Sequence, residues 1–406
     1  MQFDVFFSIS QTPVDGHTPS ERVMFENFFS QVKAADDLGY NTAWVAESHL
    51  SSQIQKQHEK PVVPHWEGEV GLNGDIFQLA HKVFASTRRI EMGSAVMNIL
   101  CNGGPIAAAE KAATFCALHG VDPQESRRLH VGFSGGRFEF MNRPFGILPR
   151  DEIEAAAWPA LKGLVFWEAA EIFAKLLRGD VLSSQDSRET ILTRANFRSD
   201  EDWDRVQQAA STTSDAIEIS KRFNFDVLQI VPRDWRRELL QLIIGSHDPR
   251  LQEAMNQILP VQVFNLSITD PKKIEDTHRR MQTAYHADGG AWQRSYMPRT
   301  TFVFINDNPS LSAEQKRAAA HEEARAALGA YWKALQGTLD PEKVEKAATN
   351  ALIGNPEDVA AQAKERFDPN DRLMLWFDFF NHDNERVISN MESFMHSVAP
   401  KLSGDA

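Results

Sequence analysis

Short apolar runs alternate along this chain with longer stretches in which apolar residues recur at helical spacing. Phe3 to Ile9 reads as a first strand, and a loop with Pro13, Gly16 and Pro19 follows it. Phe25, Phe28, Phe29, Val32, Ala35 and Leu38 then mark one face of a helix that starts at Ser20-Glu21 and stops at Gly39. Thr42-Ala43-Trp44-Val45-Ala46 comes next, a buried strand running straight into Glu47-Ser48-His49. From Ser48 to Asp75 there is no periodicity, and Pro61, Pro64, Gly68, Gly71 and Gly74 break the segment up. A loop of that length is expected to be a lid or a binding loop. The pattern then predicts a helix over 76–85, a strand over 90–97, an Ala-rich helix over 105–116 and a strand over 129–133. A long helix follows from Glu152 to Leu177, with Pro159 expected to kink it.

The second half is read in the same way. Ser211-Thr212-Thr213-Ser214-Asp215 predicts a helix cap ahead of Ile217, Ile219 and Phe223, and Asp226 to Val231 predicts a strand. Pro232 to Pro260 has a helical apolar pattern through Leu239, Leu240, Ile243 and Ile244 and reads as an insertion. Strands over 261–268, 300–305 and 372–376 and helices over 271–285, 314–335 and 385–398 complete the chain, with Leu352-Ile353-Gly354-Asn355-Pro356-Glu357 opening one more helix. Three helix-to-strand junctions are alike: Gly39-Tyr40-Asn41 before Thr42, Phe223-Asn224-Phe225 before Asp226, and Asp368-Pro369-Asn370 before Asp371. Repeated strand-helix units predict an α/β fold, a (β/α)8 TIM barrel forming a single domain over 1–406 with insertions within 180–300. A doubly wound sheet is the alternative, but no GxGxxG opens a helix after the first strand.

Composition narrows the partners. With 43 basic and 56 acidic residues the net charge is −13, which argues against nucleic acid or an anionic membrane as partner. No apolar run reaches membrane-spanning length, the start lacks a basic signal-peptide region, and the two cysteines form no CxxC pair, so a cytoplasmic location is expected.

In a barrel, the residues just past each strand line one mouth. Here they are Ser8 to Ser10; Glu47, Ser48 and His49; Asn98; Ser134, Gly135, Gly136 and Arg137; Gln229; Asn306; and Asp378 among Trp376, Phe377, Phe379 and Phe380. Glu47 and His49 can exchange protons near neutral pH, or can simply bond the loop. Ser134 to Arg137 offers backbone N–H groups and one positive charge to an anion. Ser211-Thr212 at a helix start is a phosphate candidate, or an ordinary cap. The aromatic strip around Asp378 is core, or a wall for a planar ring or alkyl chain. No metal is expected. The spacings of His49, His58, His65, Glu67 and Glu69 match no metal motif, and His321-Glu322-Glu323-Ala324-Arg325 lacks the second histidine of HExxH.

Several of these stretches, in order and spacing, resemble the bacterial luciferase-like flavin-dependent monooxygenases. They are Ala34 to Tyr40 leading to Trp44-Val45-Ala46-Glu47-Ser48-His49; Arg89 to Val96; Pro105 to Glu110; His130 to Gly136; and Leu352 to Val359. The resemblance implies a TIM barrel that binds reduced FMN, supplied by a separate flavin reductase, and oxygenates a small, partly apolar substrate with molecular oxygen. Deazaflavin F420 and hydride transfer are the alternative cofactor and reaction, and a flavin-binding barrel without catalysis is a third reading. It also implies a homodimer through the helices after the second and third strands. Carried over by position, Ala95-Val96 matches a non-prolyl cis peptide against the flavin ring. Ser211 and Thr212 match the phosphate region, and Ser134 matches the site of a reactive thiol in luciferase. His49 is then expected as acid or base, Glu47 as its orienting partner, and Asn98 and Ser134 as contacts to the flavin or substrate. One departure stands out: the family's Glu-His-His after the second strand is Glu47-Ser48-His49 here, so Ser48 occupies the place of the catalytic histidine.

Overall fold

Turn and capping residues cut the apolar runs into strands, and a computed structural model, which describes residues 1–336, 342, 345 and 348–402, shows how they assemble. In chain order they are β1 (Gln2–Phe7), β2 (Thr42–Val45), β3 (Glu91–Asn98), β4 (Leu129–Ser134), β5 (Thr190–Thr193), β6 (Ala216–Ile219), β7 (Leu240–Ile244), β8 (Val261–Val263), β9 (Arg299–Ile305), β10 (Leu352–Gly354) and β11 (Arg372–Trp376). Nine of them form one sheet in the order β10-β9-β11-β1-β2-β3-β4-β7-β8, with every pairing parallel. Asn265, two residues past β8, closes the ring with a parallel bridge to Arg299: its N–H donates to the Pro298 carbonyl at 2.9 Å and its carbonyl accepts from Thr300 N at 3.1 Å. β10 adds only to the carboxyl end of β9, so the remaining eight strands are the barrel. The expected TIM barrel is the fold.

Local signals set the helices. Ser20 Oγ accepts from Val23 N at the start of helix Glu21–Leu38, and Gly39 ends it at φ +89°, a left-handed conformation that glycine adopts without steric cost. Alternation along the strands then fills the barrel. Phe6, Trp44, Ile243, Phe264 and Met374 pack together inside it, while Val5, Phe7, Ala43, Val45 and Leu375 face the surrounding helices. A Cβ on Gly93 would sit 2.4 Å from the Trp44 ring, so only glycine leaves β3 room beside that indole. Below this layer lies a polar floor. Asp4 accepts from Trp44 Nε1 and from Arg372 Nε, each at 2.6 Å, and Arg372 Nη2 donates to Thr42 Oγ1.

The structure corrects the reading between 180 and 260. Leu240–Ile244 is not part of a helical insertion but barrel strand β7, paired with β4 from Leu129↔Leu240 to Phe133↔Ile244. A short unbroken apolar run looks the same to a periodicity count whether it is a buried strand or a turn of buried helix. The excursion from the barrel is instead 180–239, which carries the antiparallel β5–β6 pair with the helix Asp200–Ala209 between its strands. Asp226 to Val231 forms no strand of the sheet. Val227 and Val231 are exposed, and only Leu228 makes a bridge, to Leu182. Ile217 and Ile219, expected on a helix, lie in β6. The segment 48–75 is threaded through the barrel top: Glu69 O accepts from Gln11 N at 3.0 Å and Leu72 N donates to Ile9 O at 3.1 Å. Its Val63 and Trp66 pack with Phe138, Met141 and Leu335, so it reaches the loop after β4 and the helix Ala313–Ala334.

Candidate functional site

At the strand end that organises the first half of the chain, alternation separates three neighbouring side chains. Trp44 and Ala46 face the barrel interior, and Ser48 continues that series, held by its N–H to the Asn73 carbonyl at 3.0 Å and covered by Gly71. Glu47 and His49 turn the other way. Their side chains, 3% and 6% exposed, are joined at 2.8 Å between Glu47 Oε1 and His49 Nε2. Asn102 Nδ2 lies 2.8 Å from His49 Nδ1, which makes Nδ1 the acceptor and leaves Nε2–H to donate to Glu47. Glu47 also accepts from Asn98 N at 3.2 Å. Burial raises the Glu47 carboxyl above its ordinary pKa, with the His49 bond opposing the shift. The two face a void of about 20 Å³, room for one water, between β3 and the helices Ile76–Ser86 and Gly104–His119.

A larger space opens elsewhere at the same barrel end. A cavity of about 470 Å³, within the ~300–1,000 Å³ span of small-molecule sites, lies past β3, β4, β7 and β8. Ala95, Val96, Gly245 and Phe264 form one wall, Trp158 and Phe166 of the helix Glu152–Arg178 another, and Ser134, Arg137, Lys162 and His247 supply polar groups. The Ala95-Val96 peptide bond is cis, as the resemblance implies, at a break in the β3–β4 register between Ser94 and Met97. Gly132 accommodates that break, since a Cβ there would lie 2.2 Å from the Ser94 carbonyl oxygen. Lys162 pairs with Glu139 at 2.7 Å, whereas among the described residues no carboxylate pairs with Arg137, whose guanidinium rests 5.2 Å from the Phe138 ring centroid. His247 is held below its ordinary imidazole pKa by the protein packed around it and by Lys273 and Arg280.

Of the residues singled out in the sequence, the cavity brings together Ala95, Val96, Ser134 and Arg137. Asn98 stands apart, its amide engaged with Asn142 Oδ1 at 2.6 Å and with Leu100 N at 3.1 Å. Glu47, Ser48 and His49 are not on its walls either. Ser211 and Thr212 are corrected: they follow the carboxyl end of helix Asp200–Ala209, Ser211 exposed at φ +50°, and there is no helix start for a phosphate to meet. Gln229 donates to the Gly179 carbonyl, at the far end of the helix Glu152–Arg178 from the mouth. Gly245, Ser246 and His247 escape the sequence reading because the apolar run before them fits a helical period as well as a strand. The signal was present: an apolar run that stops at Gly-Ser-His and is followed by Asp248, which caps helix Pro249–Asn256, and Pro249.

The satisfied state of His49 yields an expected result. His49→Ala leaves the buried Glu47 carboxyl without its partner, at a cost of about 1–3 kcal/mol in stability, while turnover per folded molecule stays within twofold of the parent. Urea unfolding and a rate assay on the same preparation check both halves; a large fall in turnover with unchanged stability would return His49 to the chemistry.

A family model described as luciferase-like monooxygenase matches residues 1–148, so the resemblance holds over the first four strands of the barrel. A comparison with curated proteins gives no match. Among solved structures, the monooxygenase RslO1 from Streptomyces bottropensis is 16% identical, with TM-score 0.66 over 98% of this chain and 99% of that one. The oxygenating constituent of 3,6-diketocamphane monooxygenase from Pseudomonas putida, a type II Baeyer–Villiger monooxygenase in complex with FMN, is 12% identical, with TM-score 0.54 over 99% and 98%. An F420-dependent secondary alcohol dehydrogenase in complex with an F420–acetone adduct is 12% identical, with TM-score 0.57 over 100% and 99%. At these identities the likeness is one of fold.

Proposed function

Starting from a TIM barrel whose first 148 residues match the luciferase-like monooxygenase model, we propose that this protein is a flavin-dependent oxidoreductase. We read it as a monooxygenase that takes reduced FMN from a separate reductase and acts with oxygen on a small, partly apolar molecule. The observation that carries this reading is the cavity of about 470 Å³, apolar on the Val96–Gly245 side and cationic at Arg137, with the Lys162–Glu139 pair beside it. A planar ring system with an anionic tail fits that division. When bound, reduced flavin supplies the electrons for reaction with oxygen or for hydride transfer. The protein's part is to bind and orient: Ala95, Val96 and Gly245 would hold the ring, and Ser134, Arg137 and Lys162 its polar tail. The 48–75 loop would keep water out. His247, neutral at pH 7, is the cavity imidazole able to accept a proton.

Titrating the purified protein with oxidised FMN, reduced FMN and F420, followed optically, tests the reading. Saturable binding of FMN, weakened at least about tenfold in Arg137→Ala, is the expected result; failure of all three to bind removes it. Preferred binding of F420 with anaerobic turnover would select the hydride-transfer enzyme, which the same cavity residues would serve. A barrel that binds flavin and turns nothing over is a further reading, which the Ser48 departure permits. The homodimer through the helices Ile76–Ser86 and Gly104–His119 is part of the proposal, and light scattering checks it.

A further inference from the structure

The inner side of β11 ends differently from the other strands. Arg372, Met374 and Trp376 face the barrel interior, and Phe377 packs outward against Tyr40 and Phe394, which carries Asp378 to the inner side of the mouth. Two polar atoms there are sealed from solvent, Trp376 Nε1 and Asp378 Oδ1; the indole lies close enough to the carboxyl to lower its pKa, but neither atom completes a hydrogen bond of good geometry. A third, Trp66 Nε1, lies across the same aromatic cluster, its ring 6.4 Å from both Tyr331 and Phe380. Orphaned buried donors and acceptors are rare and mark a missing partner. In that cluster Phe302 and Phe379 are buried at 1% and 3% exposure, whereas Trp376, Tyr331 and Phe380 are only half-buried, so the rings keep an uncovered face. Trp376, like Ala95 and Val96, packs on the inner cluster of Phe6, Trp44, Ile243, Phe264 and Met374, and Phe264 of that cluster lines the proposed flavin cavity, so the spot lies at the same barrel end.

We propose that this corner is the subsite for an aromatic ring bearing a hydroxyl group, the hydroxyl accepting from Trp376 Nε1–H and donating to Asp378 Oδ1. A hydroxyl both accepts from an N–H and donates to a carboxylate through a single oxygen, and unlike a water it can be carried there on an arene that the surrounding rings cover. The aromatic rings supply the stacking surface for its arene. Burial pushes the Asp378 carboxyl up to about 7, with the nearby indole opposing the shift, so above neutral pH it presents the acceptor the hydroxyl needs. The inference deepens the proposed function and rests on it in placing substrate at this barrel end.

The test uses 2-naphthol, 2-methoxynaphthalene and naphthalene as probes, with binding followed by their fluorescence at about pH 8, with and without saturating FMN. The parent protein is expected to bind 2-naphthol at least about tenfold tighter than the other two. That preference is expected to fall below about twofold in Asp378→Leu and in Trp376→Phe. No preference in the parent, which needs no variant, would overturn the subsite. So would a preference that both variants keep. Equal binding of all three probes beside normal FMN binding would refute the subsite and leave the flavin reading standing. Preferential naphthol binding without any flavin binding would do the reverse.

Discussion

Asp4→Ala is expected to destabilise the barrel by about 3–5 kcal/mol. Asp4 is fully buried, and its carboxylate holds Trp44 Nε1 and Arg372 Nε at 2.6 Å each. Removing it leaves a guanidinium with a side chain 7% exposed and an indole N–H without an acceptor in the barrel floor. The pair itself is not a net source of stability. Burial outweighs Arg372 and keeps the Asp4 carboxyl above its ordinary pKa, so the cost of taking the charges out of water exceeds what their attraction returns. The double variant Asp4→Leu, Arg372→Met should therefore recover most of the loss. Urea unfolding of the two single variants and the double checks this; additive losses in the double would mean that the two residues act independently, against the geometry.

Gly245→Phe should abolish flavin binding at micromolar concentration, a loss of at least about a hundredfold in affinity, while leaving the fold intact. Gly245 is not among the positive-φ glycines, so its backbone tolerates a side chain. A Cβ there meets Val96 Cγ2 at 3.2 Å and Ser134 Cβ at 3.3 Å, contacts that small shifts can absorb. The ring beyond it projects into the cavity where the cofactor is proposed to lie. Gly163→Ala on the opposite, helical wall of the cavity, with nothing within 4 Å of the new methyl, is the control and should bind as the parent does. Undiminished FMN binding in Gly245→Phe, with thermal stability unchanged, would place the flavin elsewhere.

Much of the barrel was legible because its signals are local. Ser20 and Gly39 bracket a helix through their own backbone geometry, and Asn355 does the same for Pro356–Arg366 by accepting from Glu357 N and Asp358 N. The 180–260 stretch was not legible. There the chain leaves the barrel for an antiparallel strand pair whose Ile217 and Ile219 are buried in the core around the barrel, and the returning strand β7 is only five residues long. The order of the motifs then pointed to Ser211-Thr212 for a phosphate site, about thirty residues before the strand end that does line the cavity.

The stretch Trp44 to His49 divides what each level decides. Sequence alone determined that a buried strand ends there and that its last residues sit at the carboxyl end of a parallel barrel, because apolar runs, caps and connection lengths suffice for that. Only the tertiary structure decided that Ser48 faces inward while Glu47 and His49 satisfy one another behind β3, and that polar atoms of Trp376 and Asp378 stand unpartnered at the mouth. Which neighbour meets a side chain depends on packing between strands far apart in the chain, and no spacing within one strand records it.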